Sequence, residues 1–119
     1  VKAPLMDQEQ VAQFCLGLPG AREDYKWGGV RVFSIAGTKM FALQNLRGES
    51  LAFKVDPELF LGHVDRPGVS PAPYLARAHW VILRVPYPLE AAELKQLLQR
   101  SHQLVVAKLP KRAQVGLQI

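Results

Sequence analysis

Acidic residues are missing from the last 25 positions of this 119-residue chain, and cysteine occurs once. A lone Cys15 excludes an internal disulfide and makes a reducing, cytoplasmic environment the expectation. No apolar run approaches the roughly 20 residues that a membrane-spanning helix needs. No basic-then-apolar leader opens the sequence, so neither membrane nor export is expected. His63, His79 and His102 form no His-x-x-x-His pair, and no Cys-x-x-Cys exists to complement them. A metal site is therefore not expected, and with no Walker-type loop or Gly-x-Ser-x-Gly turn, no cofactor is either.

What is present suits a packed core: 49% of the residues are hydrophobic and 21% charged. The length fits one domain spanning 1–119. Residues 1–94 hold ten Lys/Arg against all ten acids, so the whole net charge of +5 lies in Lys95, Arg100, Lys108, Lys111 and Arg112. Such one-sided charge is an electrostatic footprint for an anionic partner.

The first helix is marked by a capping box, Asp7 with Gln10, and by a hydrophobic staple, Met6 with Val11. Val11, Phe14, Cys15 and Leu18 share one apolar face, and Gly17 with Leu18-Pro19-Gly20 ends the helix. Strands are predicted over Val30–Ile35, Lys39–Leu43 and the alternating run Leu51, Phe53, Val55. Asp56-Pro57 reads as the capped start of a short helix that Gly62 ends. Residues 65–78, with Pro67, Gly68, Pro71 and Pro73, read as a long ordered loop. A strand over His79–Val85 and a helix over Glu90–Lys108, stopped at Pro110, complete the chain. The order specifies an α+β fold of two layers, an antiparallel sheet with helices on one face.

Nothing in this pattern assigns a catalytic residue. Cys15 lies on an apolar helix face and reads as a small buried hydrophobe. Glu23 and Asp24 diverge as neighbours, and Glu90 and Glu93 suit the first turn of a helix. Strand alternation instead points to a surface. With Leu51, Phe53 and Val55 inward, Lys54 faces away; with His79, Val81, Leu83 and Val85 on one side, Trp80, Ile82 and Arg84 fall on the other. Trp80 between Lys54 and Arg84 on an uncovered sheet face has the chemistry of a stacking and phosphate platform. The competing reading makes Trp80 and Ile82 a second small apolar cluster with solubilising cations at its rim. Arg31 fits either face. A helix C-terminus accounts for Lys108; Lys111 and Arg112, beyond Pro110, are less well explained that way.

Ordered motifs then resemble the MmcQ/YjbR family of small bacterial proteins. They are Leu18-Pro19-Gly20-Ala21, Glu23-Asp24-Tyr25, Trp27-Gly28, Lys39-Met40-Phe41-Ala42 and Lys54-Val55-Asp56-Pro57-Glu58. Tyr74, His79-Trp80 and Ser101–Pro110 follow. The resemblance implies a two-layer fold of the secretion-chaperone or frataxin-like kind, described as a double wing, and a proposed DNA-binding role without assigned catalytic residues. After the proline this chain keeps only Lys111-Arg112 before a neutral tail.

Three functions follow as expectations. The first is non-catalytic nucleic-acid binding through Lys108, Lys111 and Arg112, with Lys54, Arg77, Trp80 and Arg84 as a second surface. The second is a protein- or peptide-binding module that exposes an apolar patch around Trp80 and Ile82. The third is a small-ligand site near the 65–78 loop, where Tyr74, His79 and Glu23/Asp24 would converge. A monomer is the expected state.

Overall fold

The computed structural model describes residues 5–119. Helix α1 (Gln8–Leu16) starts as its sequence dictates. The Asp7 carboxylate accepts from the Gln10 N–H at 2.8 Å, and the Gln10 side chain accepts from the Asp7 N–H at 2.9 Å. Strands β1 (Arg22–Lys26), β2 (Val30–Ile35), β3 (Lys39–Asn45) and β4 (Ser50–Lys54) then form an antiparallel meander. Helix α2 (Phe60–Val64), strand β5 (Ser70–Pro71), strand β6 (Trp80–Arg84) and helix α3 (Ala91–Val106) follow. The sheet order is β1-β2-β3-β4-β6-β5, with every neighbouring pair antiparallel.

One sheet face packs against α1 and α3. Phe33, Phe41, Leu51, Phe53, Val81 and Leu83 meet Val11, Cys15, Leu94 and Leu98 there. The two-layer α+β architecture read from the sequence is the one observed. Cys15 lies wholly inside this core, and burial pushes its thiol up to about 12. Native protein at pH 8 is therefore expected to resist alkylation by iodoacetamide until denaturant is added; modification at the same rate in both states would contradict that burial.

Several elements differ from the sequence-based expectations. Residues Arg22–Lys26 form a strand where none was read, because β1 lies at the sheet edge with all five residues exposed and no apolar alternation to mark it. Residues 65–78 are not one loop. They contain β5, paired to β6, and a 3-10 turn at Ala76–Ala78. Asp56 does not cap the following turn (Pro57–Leu59, also 3-10); Arg100 takes its carboxylate instead, at 2.8–3.1 Å. Gly62 sits inside α2 rather than ending it. On α3 the buried row is Leu94, Leu98, Ser101, His102 and Val106, with Leu97 and Val105 partly buried against the same core, so two polar residues stand inside where only apolar ones are expected.

Those two polar residues are tied to backbone. Ser101 Oγ–H donates to the Phe41 carbonyl at 2.7 Å, and Ser101 Oγ accepts the Lys54 N–H at 3.0 Å. The β3–β4 ladder ends at Ala42 and Phe53, so this hydroxyl bridges the two strands one residue beyond their last pair. His102 Nε2–H donates to the Pro19 carbonyl at 2.7 Å, and its ring meets Phe41 edge-on at 5.3 Å. The Leu18-Pro19-Gly20 corner after α1 is thereby fastened to α3.

Candidate nucleic-acid interface

The pairing register decides which cations meet. Lys54 lies opposite Trp80 at one end of the β4–β6 ladder, and Ser50 opposite Arg84 at the other. Four residues at about 3.3 Å each separate the two ends by about 13 Å. Lys54 and Arg84 therefore do not flank a common point.

Trp80 does not offer its ring to solvent. It is 5% exposed and packs with Ala52 and Ala72 in a second apolar cluster on the helix-free face, against Met40, Leu43, Leu75 and Ile82. The stacking platform of Lys54, Trp80 and Arg84 is therefore not formed, and the second-cluster reading holds. The segment carrying Ala72 and Leu75 covers Trp80, which alternation within the strand could not reveal. The same burial takes Trp80 out of the apolar patch that a peptide-binding module would present, while Ile82 stays partly exposed.

His79 lies outside the strand. It ends the 3-10 turn in a left-handed conformation (φ +65°) and packs edge-on against Phe60 at 5.5 Å. Tyr74 is fully exposed and lines a different region, so the two do not share a pocket. Glu23 and Asp24 point to opposite faces of β1 and do not join them. Arg31 turns to the helix side, where Glu9 and Glu23 lie 3.6 Å away and Tyr25 Oη accepts from its Nε at 3.1 Å.

What the fold does bring together is one pair of cations, Lys54 and Lys108. Lys54 is 9% exposed, and its ammonium pKa is lowered from the ordinary value by burial and then by the neighbouring Lys108. Two like charges thus meet where α3 and β4 both finish. Lys111 and Arg112 follow on an exposed 3-10 turn (Lys111–Gln114), and Arg77 stands exposed in the turn that leads into Trp80 at the same end of the ladder. Among the described residues none of these five cations forms an ion pair. Among the described residues Arg100 alone of the five C-terminal cations forms an ion pair. Its hydrogen bonds to Asp56 hold that carboxyl below the usual range. The C-terminal end of α3 contributes about half a negative charge against this group.

No three His, Cys, Asp or Glu side chains converge as metal ligands among the described residues. Ser101 and His102, adjacent in sequence, do not face one another, because each spends its donor on a different carbonyl. Among the described residues no helix is long and apolar enough to cross a membrane.

A six-stranded antiparallel sheet with helices on one face defines a small α+β protein. The YjbR family model matches residues 16–104, and the chain belongs to that family. A Deinococcus radiodurans protein with a DUF419 domain has a similar crystal structure, at TM-score 0.84 and 25% identity, covering 98% of this chain and 91% of that one. A Pseudomonas syringae protein is similar in its crystal structure (TM-score 0.70, 24% identity, 84% and 99% coverage). A solution structure from the same organism agrees in fold, at TM-score 0.66, 24% identity and coverage of 84% and 93%. No curated protein matches the chain. The family match ends before Lys108, Lys111 and Arg112, so the tail cations lie outside it.

Proposed function

We propose that this protein binds nucleic acid without catalysis, placing Lys54, Arg77, Lys108, Lys111 and Arg112 against phosphates. The observation that carries this reading is a nearly buried Lys54 whose ammonium pKa is lowered by burial and then by the neighbouring Lys108, with no acid paired to either among the described residues. A partly buried ammonium beside a second one is unfavourable alone, and a phosphate between them reverses the sign of the local interaction. Arg84, at the far end of the ladder, is not part of this grip.

Counterion release supplies the test. Each phosphate contact contributes about 0.9 to the slope of log K against log salt on duplex DNA. Charge reversal at Lys108, Lys111 and Arg112 together is expected to lower that slope by about 2.7, measured by fluorescence anisotropy with labelled DNA at several salt concentrations. An unchanged slope, or no binding at low salt by the native protein, would sink the proposal. Lys54→Met separates binding from folding. Removing a desolvated, repelled charge is expected to leave stability unchanged or to raise it by up to about 1 kcal/mol, while affinity for DNA drops.

A further inference from the structure

The helix-free face carries a cleft of about 340 Å³ in which no carboxylate takes part. Its floor is apolar, formed by Leu43 of β3, Ala52 of β4 and Ile82 of β6. Two exposed aromatics reach it from opposite sides of the sheet. Trp27 comes from the β1–β2 hairpin, and Tyr74 from the segment between β5 and β6.

Neither aromatic is explained by packing or by backbone preference. Trp27 is 68% exposed at φ +51°, and Tyr74 is fully exposed at φ +64°. Tyr74 follows Pro73 in a turn closed by the Leu75 N–H donating to the Ala72 carbonyl, where glycine or asparagine is the ordinary occupant. Bulky residues kept in left-handed conformations beside a cleft point to use of their rings. The hairpin tip is also pinned, since the Leu46 N–H donates to the Gly29 carbonyl at 3.1 Å.

The polar groups at the margin suit a planar, anionic ligand. Asn45 Oδ1 accepts from the Arg47 and Gly48 amides, both at 3.1 Å, which leaves its amide N–H groups free; Ser50 stands nearby in the lining. Lys26 Nζ lies 5.9 Å from the Trp27 ring, the Arg47 side chain packs on Gly29, and Arg84 projects on the same face as Ser50. None of these three cations forms an ion pair among the described residues. The cleft volume lies at the small end of ligand pockets, enough for one heterocycle rather than a helix of a partner.

We propose that this cleft stacks one unpaired nucleobase against Trp27 and Tyr74, with its phosphate held by Lys26, Arg47 or Arg84. The inference rests on the reading above for the class of ligand and adds the form, a single strand with an accessible base. A duplex, whose bases are stacked inside, would engage the phosphate grip only.

Trp27 reports the event directly, because the other tryptophan, Trp80, is buried. The full chain at low salt would be titrated with a single-stranded DNA pentamer, a blunt duplex and adenosine monophosphate, following tryptophan emission and, for the labelled DNAs, anisotropy. Quenching by the pentamer but not the duplex is expected. Tyr74→Ala, at a fully exposed position, should weaken pentamer binding roughly 5- to 100-fold and spare the duplex, the effect of losing one stacking partner. Pentamer binding without quenching and indifferent to Tyr74→Ala would overturn the base site and leave the phosphate grip standing. Binding of neither DNA would overturn both. Quenching by the mononucleotide alone would keep the base site and overturn the polymer as its source.

Discussion

Replacing Ser101 with alanine is expected to lower stability by about 2–4 kcal/mol, although it deletes a single oxygen. That oxygen serves two backbone groups at once, the Phe41 carbonyl and the Lys54 N–H, where the β3–β4 ladder has already ended. Each buried polar group left without a partner costs about 1–3 kcal/mol, and the site is too enclosed for bulk water to substitute. A domain of this size holds about 5–15 kcal/mol in total, so the loss is a large share. Urea unfolding should show a lower midpoint at unchanged slope. A change below about 0.5 kcal/mol would mean that the strands close on each other once the hydroxyl is gone.

His102→Ala is expected to destabilise by a similar amount, about 2–4 kcal/mol, for a different reason. The imidazole is fully buried, fills space beside Phe41 and donates to the Pro19 carbonyl. Truncation leaves a cavity as well as an unpaired acceptor. His102→Gln, which can present an amide N–H near the same carbonyl, should recover part of the loss; equal destabilisation by both variants would show that the cavity alone matters. Together the two substitutions test whether Ser101-His102 is fastening rather than chemistry. Ser101 Oγ has both its partners on other elements, whereas His102 is held through Nε2 alone and its Nδ1 is buried without a partner among the described residues.

The chain declared its helices more openly than its surfaces. Asp7, Gln10 and the Val11–Leu18 spacing act within a few residues, and local signals of that kind survive in the fold. Strand β1 could not be read because Arg22, Glu23, Asp24, Tyr25 and Lys26 bury nothing, and an edge strand with solvent on its residues has no alternation to display. On α3 the apolar spacing placed Leu94 and Leu98 in the core, but it could not show Ser101 and His102 there, because hydrogen bonding, not hydrophobicity, places them inside.

The candidate site was legible as charge and illegible as arrangement. Lys54 and Arg84 share a face by alternation, yet register sets them about 13 Å apart, and register belongs to pairing between distant segments. Lys54 and Lys108 come together only because β4 and α3 end at the same place. Trp27 and Tyr74 stood in the sequence as motif letters, and their meeting at one cleft depends on the full strand order.

The borders of the sheet limit how anything else can approach. On one side β1 spends four of its five positions on Arg22, Glu23, Asp24 and Lys26; on the other β5 is two residues long, and Pro71 lacks an N–H to offer. Charge and proline are poor templates for strand addition. Among the described residues both margins are thus poor templates for β-augmentation, and the fold leaves its broad helix-free face, not its edges, as the surface open to contact.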